Sequence, residues 1–524
     1  MHFRNQSSNF PFSSGIEAAG RNRGPGRPKG SRSPSRVQIS HESFPHVPQN
    51  LWSQMSQLVS SFMGAVMGRL EVAYAEGIES QLVQLLDDCL PDLALALGRA
   101  SMETLIAQER GFHGSNLDCD ACDGCLKYQG DVKKLIKTRI GDIESKRAYY
   151  YGACGHSVCP LDLLLGVDGV HAVMPSLQET VAWLAASMSY PETVKLLQKL
   201  CPSKFSLKGV ETITATAADQ VREAQLEDDA TSFNGHCMLG SLGPKEPMQE
   251  GVAILEVDGG FALVRDHTEA SREFKLALLG QLVVGEGVNI DAKPGEFDRG
   301  ITLVDKSFVG HFTDPDKFFS DVQTEYWRRG FHKFKILHAI FDGGKWILPR
   351  TKCIVEAGQE LSLILDWFHA DERVSDAANV LHGLSTDAAA EWRTRVRSDL
   401  WDGRLDDFFK ALQQAVDNAK TPEASKTLRE HYSYFLSRRE LLRYKECRER
   451  GLPIGSGAIE GGIRFIGKDR LDRTGMRWKI AGAEDILQLR CIKYSDRWDE
   501  LATRRAEHRR RLYTTVKAKW NKAA

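Results

Sequence analysis

The sequence has no apolar run that approaches the roughly 18 to 20 residues of a membrane-spanning helix, which excludes a bundle of such helices. The N-terminus is polar and basic and has no apolar stretch of the kind found in a secretory signal. The eleven cysteines are odd in number and mostly dispersed, which argues against a disulfide framework. We therefore expect a cytoplasmic protein with no membrane partner.

Net charge is also nearly absent, at -1, but the charges are segregated along the chain. Residues 1–36 contain seven Arg or Lys and a single acid, so we predict a disordered basic tail over 1–45. Its centre, RGPGRPKGSR with Arg27 and Lys29, resembles the DNA minor-groove arm called an AT-hook. The alternative is a solvated basic tail.

A length of 524 residues predicts several domains. Apolar residues recur at helical spacing over 46–112, which predicts an N-terminal helical region. Residues 166–249 also have helical spacing and predict a helix-turn-helix-like DNA-binding region. An ordinary helix pair without a DNA role explains the same pattern.

Residues 113–165 hold the one dense cluster of cysteines, on either side of a predicted β-hairpin that turns at Gly141-Asp142. This order is typical of a zinc ribbon, in which two ligand pairs on tight turns bind tetrahedral Zn²⁺. The partner of Cys154 must be His156 or Cys159, and Cys125 is a spare that could replace a residue of the first pair. We take the Zn²⁺ ligands to be Cys119, Cys122, Cys154 and Cys159. The alternative is a ribbon that has lost its metal.

Three carboxylates stand in distinctive settings: Asp258 in ILEVDGG, Asp342 in HAIFDGGKWI and Glu460 in LPIGSGAIEGG. An apolar run that ends at Asp-Gly indicates a buried strand that carries a carboxylate to its end, and Glu460 follows a glycine-rich turn that opens a helix. Clustered carboxylates repel one another unless divalent cations neutralise them. The pattern predicts a site for two Mg²⁺ or Mn²⁺ ions, which is suited to in-line displacement at phosphorus.

From residue 250 onward strands and helices alternate, in the order expected of an RNase H-like core. We assign the first part of this core to 250–370, a helical insertion to 371–450, and the last catalytic helix with a basic segment to 451–492. The fold class is therefore multidomain α/β, in which a mixed sheet with flanking helices follows the helical regions and the ribbon. Asp366 and His369 form a weaker candidate pair, either structural or able to orient a phosphate, a water or the metal ligands.

The segment IRFIGKDRLDRTGMRWK is rich in cations around an interleaved Trp478. We interpret these cations as contacts to DNA phosphates and the tryptophan as a stacking group for a base; a solvated helix face is the alternative. The predicted DNA-binding residues are Arg464, Lys468, Arg470, Arg473, Arg477 and Lys479, with Arg27 and Lys29 in the tail. A basic C-terminal helix is expected over 493–524.

The chain resembles the DDE transposases of the ISKra family of bacterial insertion sequences. The matching motifs are RAYYYGACGHSVCPLD, EVDGG, FDGGKWI, LILDWFHADERV, RYKECRERGLPIGSGAIEGG and RLDRTGMRWKIAGAEDILQLR. By this resemblance Asp258, Asp342 and Glu460 are the DDE triad. The second cysteine knuckle lacks a regular CxxC, and the tail before residue 45 is not part of the shared pattern.

The resemblance implies an enzyme that binds the terminal inverted repeats of its element and catalyses metal-dependent strand cleavage and strand transfer. Its partners would be double-stranded DNA at the element ends and at the target, with a homo-oligomer assembled on DNA at the nucleoid. One alternative is a catalytically silent regulator of transposase ancestry that only binds DNA. A structure-selective nuclease such as a junction resolvase is another.

Overall fold

The computed structural model describes residues 41, 44–122, 124–167, 172–239, 248–265, 269–285, 300–312, 314–356, 358–473 and 475–523. The predicted basic tail with Arg27 and Lys29 lies outside these residues. The chain divides into two compact units, Met1–Gln57 and Leu58–Ala524. In the first unit, the Trp52 ring stacks on Phe44 at a centroid distance of 5.7 Å.

Helices occupy the N-terminal part of the described chain. They are α1 (Gln49–Glu76), α2 (Ile78–Gln84), a π-helical turn (Leu85–Cys89) and α3 (Leu90–Ala107). Pro91 follows the π-helical turn directly, and because the backbone is helical on both sides of it, its missing N–H removes a hydrogen bond to the preceding turn.

A four-stranded antiparallel sheet follows, in the order β1-β2-β3-β4. Its elements are β1 (Asn116–Asp118), β2 (Cys125–Thr138), β3 (Gly141–Gly152), β4 (Ser157–Val158) and then α4 (Pro160–Leu165). The hairpin turns at residues 139–140, two residues before the predicted turn, because Thr138 already pairs with Gly141. Gly141 adopts a φ of 115°, a conformation that favours glycine.

Three helices join this sheet to the second one: α5 (Pro175–Ser187), α6 (Tyr190–Leu200) and α7 (Leu207–Leu239). Ser189 begins α6 with a capping box, in which its hydroxyl accepts from Glu192 N–H and the Glu192 carboxylate accepts from Ser189 N–H. Val181, Leu197 and Val210 form part of the apolar core that the three helices share.

The second sheet has five strands in the order β7-β6-β5-β8-β9. The strands are β5 (Gln249–Leu263), β6 (Ser271–Val284), β7 (Ile301–His311), β8 (Phe334–Phe341) and β9 (Glu360–Leu365). β6 runs antiparallel to both β5 and β7, whereas β5, β8 and β9 are parallel. The centres of β5 and β8 are continuously buried, and apolar except for Glu256 and His338, because both faces of the sheet are covered.

Helices pack around this sheet and extend to the C-terminus of the chain. They are α8 (Pro315–Arg328), α9 (Ile347–Cys353), α10 (Trp367–His382), α11 (Asp387–Trp401), α12 (Leu405–Asp417), α13 (Pro422–Leu436), α14 (Tyr444–Glu449), α15 (Gly457–Gly462), a π-helical turn (Ile463–Lys468), α16 (Asp469–Leu471), α17 (Ile480–Tyr494) and α18 (Trp498–Ala523). One apolar core runs from β5 and β8 into α10–α13, so the helical segment after β9 is continuous with the sheet.

The protein is therefore of the mixed α/β class, as the sequence predicts. The structure adds β7, which the sequence interpretation did not include, as the edge strand beside β6. None of the helices in the described part of the chain is long and apolar enough to cross a membrane.

Candidate active site

Three parallel strands each bring an aspartate to the same level of the five-stranded sheet. The row of paired residues just before these aspartates consists of Val257, Phe341 and Leu365. Asp258 on β5, Asp342 after β8 and Asp366 after β9 therefore occupy the next row. Because adjacent strands lie about 4.8 Å apart, the two sequence-predicted aspartates are close neighbours across the β5–β8 pair.

Asp258 lies within β5 and is half-buried. One of its oxygens accepts the N–H of Gly259 at 2.7 Å. Burial raises the pKa of Asp258, and the negative charges of Asp342 and Asp366 raise it further, against the opposing effects of Gly259 and of His369. A negative charge at this position is therefore unfavourable unless a cation compensates it.

The loop that follows β8 fixes Asp342. Its Oδ1 accepts the N–H of Gly344 at 2.8 Å, and its main-chain carbonyl accepts the hydroxyl of Tyr434 at 2.7 Å. Arg438 donates from Nε and a terminal nitrogen to the carbonyl of Gly343, at 2.9 and 2.6 Å. Both supporting side chains come from the helical segment between β9 and α15, so that segment holds the aspartate in place.

Gly343 meets two requirements that exclude other residues. Its φ is +83°, and a Cβ atom there would lie 2.5 Å from Arg438 Nε and 2.9 Å from Leu365 Cδ1. The first glycine of the FDGG motif is therefore needed for the backbone to pass between the strand end and Arg438.

Glu460 reaches the same region on α15. The N–H of Ser456, just before this helix, donates to Asp366 Oδ1 at 2.6 Å, and the N–H of Ile459 donates to Glu256 at 2.7 Å. Glu256 lies two residues before Asp258 on β5, and alternate residues of a strand share a face. The start of α15 is thus bound to β5 and to the residue that follows β9.

The chain just before α15 is anchored by a buried histidine. His338 of β8 is paired through Nε2 with the carbonyl of Pro453 at 2.7 Å and through Nδ1 with the hydroxyl of Ser362 at 2.9 Å. Complete burial lowers the pKa of His338 to about 4, so the imidazole is neutral at physiological pH. This histidine ties β8 and β9 to the segment that delivers Glu460.

Asp366 has no exposed surface and uses both oxygens inside the protein. Besides Ser456, it accepts the N–H of His369 at 2.8 Å, which caps α10, and the ring Nδ1 of His369 at 2.7 Å. The hydrogen bond to Asp366 raises the pKa of His369 to about 9 against the effect of burial, and the charges of Asp258 and Asp342 contribute. An imidazolium therefore faces the carboxylates at neutral pH.

Glu460 is exposed to solvent but shares this electrostatic environment. Partial desolvation raises its pKa, and the charges of Asp366 and Asp258 raise it further while His369 lowers it. Asp258, Asp342 and Glu460 do not converge on a single point, since the described residues contain one group of three metal-ligating atoms within 4.8 Å of one another, and that group is made of cysteines.

That group consists of Cys119, Cys122 and Cys154. Cys119 Sγ lies 3.6 Å from Cys154 Sγ and 3.4 Å from Nδ1 of His156. Cys159, the fourth ligand that the sequence predicts, is not a member; it precedes α4 with its thiol beside Arg147, where burial raises its pKa. His156, the alternative, is not one of the three either, but its Nδ1 lies 3.4 Å from Cys119 Sγ.

Only some side chains of the basic segment after α15 are exposed to solvent. Five of the six predicted DNA-binding residues there are exposed: Arg464, Lys468, Arg473, Arg477 and Lys479. Arg470 is a correction, since it is 1% exposed, donates to the carbonyl of Ala185 at 3.0 Å and packs over the rings of Trp478 and Tyr190. Trp478 is also buried and donates to the carbonyl of Leu471, so its ring is not available to stack on a base.

Comparison with known proteins adds one distant relative. The chain is 22% identical over 356 residues to a UPF0236 protein in the vanSb 3' region of Streptococcus gallolyticus, a match that covers 67% of this chain and 70% of that protein. No protein-family model matches the sequence.

Proposed function

We propose that this protein is a DDE transposase of the ISKra type, which binds the ends of its element and cleaves and joins DNA strands. The observation that carries this proposal is the shared row of Asp258 and Asp342 on paired strands β5 and β8, with Glu460 electrostatically coupled to Asp258. Sequence-distant carboxylates that meet at the end of a parallel strand pair are the arrangement that phosphodiester chemistry needs.

The sheet supports an RNase H-like core. Its order, β7-β6-β5-β8-β9 with only β6 reversed, is the 3-2-1-4-5 order of that fold, counting strands from β5. The first carboxylate then lies on the central strand, the second at the end of the fourth strand, and the third on a helix after an insertion. This is the placement inferred for the DDE triad from the family resemblance.

The carboxylates suit Mg²⁺ or Mn²⁺, because such cations prefer oxygen ligands. In Asp258 and in Asp342, one carboxylate oxygen accepts a hydrogen bond from a backbone N–H. Asp258, Asp342 and Glu460 would hold the two ions between them, which does not require three carboxylates to meet at one point. When bound, the pair of ions activates the attacking oxygen and stabilises the departing 3′ oxygen.

The protein's own residues then have separate tasks. Asp258, Asp342 and Glu460 would hold the ions, while Asp366 fixes the start of α15 and the ring of His369. The imidazolium of His369 adds a positive charge beside the reacting group. Water would attack in the hydrolytic step, and the freed 3′-OH would attack a target phosphodiester in strand transfer.

The exposed cations after α15 supply a surface for the DNA backbone. They begin four residues after Glu460 in the chain, with Arg464, so we propose that phosphates held there extend from the carboxylates. We propose double-stranded DNA at the element ends and at the target as the partner, with a homo-oligomer on paired ends, in the cytoplasm at the nucleoid.

The test is end cleavage in Mg²⁺ on a duplex that carries the element's terminal inverted repeat. Asp258→Asn, Asp342→Asn and Glu460→Gln keep the side-chain size but remove the charge. We expect each to lose more than the roughly 10- to 100-fold that removal of an outer-shell partner costs. DNA binding, measured by mobility shift, should be retained.

Glu391→Gln is the matched control, since Glu391 is an exposed carboxylate on α11. It should cleave as the wild type does. Full cleavage by any of the three site variants would refute the assignment of that carboxylate. A wild-type protein that binds the inverted repeat in Mg²⁺ or Mn²⁺ and never cuts it would instead identify a DNA-binding regulator.

A further inference from the structure

The first observation is the spacing of the ligand atoms in the cysteine cluster. Tetrahedral Zn²⁺ with Zn–S bonds of about 2.3 Å and Zn–N bonds of about 2.0 to 2.1 Å separates its ligand atoms by roughly 3.4 to 3.8 Å. Cys119 Sγ is 3.6 Å from Cys154 Sγ and 3.4 Å from His156 Nδ1. A disulfide needs a sulfur separation of about 2.05 Å, so these distances fit a shared ion and not a covalent bond.

The backbone also forms the two tight turns that such a site requires. The N–H of Cys119 donates to the carbonyl of Gly124 at 2.9 Å, which closes the first turn around Cys122. In the second turn, Gly152 N–H donates to the carbonyl of His156 at 2.9 Å. The first turn brings Cys119 and Cys122 together, and the second places Cys154 Sγ and His156 Nδ1 each beside Cys119 Sγ.

The glycines of these turns leave room for the sulfurs. A Cβ atom on Gly124 would lie 3.3 Å from Cys122 Sγ, and one on Gly152 would lie 3.3 Å from Cys154 Sγ. Gly155, between the two ligands of the second turn, has a φ of +82°, which favours glycine. Both knuckles are therefore shaped closely around their thiols.

The cluster connects the two outer strands of the four-stranded sheet, which do not touch each other. Cys119 follows β1, of three residues, and the second knuckle joins β3 to β4, of two residues. Strands this short have too few ladder hydrogen bonds to stay in place alone. An ion at the cluster would hold the two edge strands, β1 and β4, in place.

The same end of the sheet is the docking surface of α18. Cys119 is buried in an apolar cluster that includes Leu117 of β1 and, from α18, Val516 and Trp520. Trp520 is 1% exposed, and its ring lies 5.3 Å from the ring of His113. The position of Cys119 therefore helps to set the surface on which the C-terminal helix packs.

We propose that Cys119, Cys122, Cys154 and His156 bind one Zn²⁺ in a closed structural site, and that this ion keeps α18 docked against the four-stranded sheet. Four protein ligands leave no open position, so the ion has no catalytic role. The proposal concerns a site separate from the carboxylates and does not depend on the proposed DNA chemistry.

Metal content of the purified full-length protein tests the ligand set. We expect one zinc per chain, measured by mass spectrometry, and its loss in Cys119→Ser, Cys154→Ser and His156→Asn. Cys125→Ser and Cys159→Ser are matched controls and should retain zinc. Absence of zinc from the wild type would overturn the proposal, and zinc lost in Cys159→Ser but kept in His156→Asn would overturn the ligand assignment.

Co²⁺ substitution in the wild type avoids any variant that fails to fold. The visible absorption of tetrahedral Co²⁺ depends on how many thiolates bind it, so three thiolates with one imidazole differ from four thiolates. A four-thiolate spectrum would exclude His156 as a ligand. Binding that gives no tetrahedral spectrum would contradict a closed site.

Limited proteolysis tests the coupling to α18, which contains many trypsin sites, among them Arg509, Arg510 and Arg511. Removal of zinc by a chelator should raise cleavage in α18 at least about tenfold, because local opening becomes easier. Trp520→Ala should raise cleavage in the same way while zinc stays bound. Unchanged α18 cleavage after complete zinc removal would overturn the coupling.

Discussion

Asp366 illustrates how a carboxylate beside the candidate site acts without being a ligand. It stands in the same row as Asp258 and Asp342, yet its oxygens are occupied by Ser456 and His369. A single buried residue thereby caps α10, holds the start of α15 and keeps His369 charged. We regard Asp366 as a positioning residue.

The substitution Asp366→Asn tests whether Asp366 is a positioning residue. The amide keeps the size of the side chain but removes the charge, so the pKa of His369 should fall below its value of about 9. We expect end cleavage to decrease roughly 10- to 100-fold, as for the loss of an outer-shell partner. NMR titration of His369 in the metal-free protein is the decisive readout; an unchanged pKa would show that Asp366 does not hold this charge.

The second sheet is joined to the helices beyond it by buried charges as well as by apolar packing. His311, the last residue of β7, contacts Asp321 of α8 through Nε2 and Glu484 of α17 through Nδ1, the latter at 2.7 Å. Lys317 also contacts Asp321, at 2.6 Å. One imidazole thus connects three elements in a region of low exposure.

This contact predicts a pH dependence of stability. Burial alone would lower the pKa of His311, but the hydrogen bonds to Asp321 and Glu484 raise it to about 9. Because the folded pKa lies above the unfolded one, the contribution is complete below about pH 6.5 and is lost as the pH rises through 9. The free energy of unfolding should fall by up to about 3 kcal/mol across that window.

Urea denaturation of the wild type and of His311→Gln at several pH values between 6 and 10 measures this effect. Glutamine cannot carry the proton, so the variant should be less stable at pH 6 and lose the dependence that His311 provides. Parallel pH profiles of the two proteins would contradict the prediction.

Some elements were predictable because their signals are local. Apolar runs that end at Asp-Gly mark Asp258 and Asp342, and a glycine-rich turn marks the helix of Glu460, without knowledge of the rest of the chain. β7 was missed because its apolar pattern is interrupted by Asp305 and Lys306, both exposed, and Asp305 has a φ of +50°.

The remaining features depend on contacts between distant parts of the sequence. Charge placed Arg470 at the surface, yet the carbonyl of Ala185 and the ring of Trp478 give it buried partners. Spacing alone leaves His156 and Cys159 as alternatives, because His156 lies in the turn between β3 and β4 whereas Cys159 lies beyond β4 at the start of α4. The register that aligns the aspartates was likewise not readable from either strand alone.

In the whole molecule, positive and negative charges are nearly equal in number, but the positive charges are concentrated in particular segments of the chain. A net charge of -1 coexists with the exposed cations after α15. Such a local surface attracts DNA because each phosphate contact releases condensed counterions, whatever the total charge of the protein. We propose this surface as the part of the described chain that would hold a duplex.

The double variant Arg477→Ala, Lys479→Ala measures this surface. If both residues contact phosphates, the slope of log affinity against log salt should become shallower by about 2. The matched control is Lys410→Ala, Lys426→Ala, which removes two exposed cations from α12 and α13. An equal change of slope in both double variants would mean that the DNA surface lies elsewhere or is diffuse.

The support of Asp342 by Tyr434 and Arg438 limits how far this chain can be shortened. An engineer seeking a minimal nuclease would be tempted to delete the long helical excursion between β9 and α15 and bridge the gap with a linker. That deletion would remove the hydroxyl and the guanidinium that brace the carbonyls of Asp342 and Gly343. The excursion is part of the scaffold of the candidate active site, and a trimmed protein has to supply an equivalent brace.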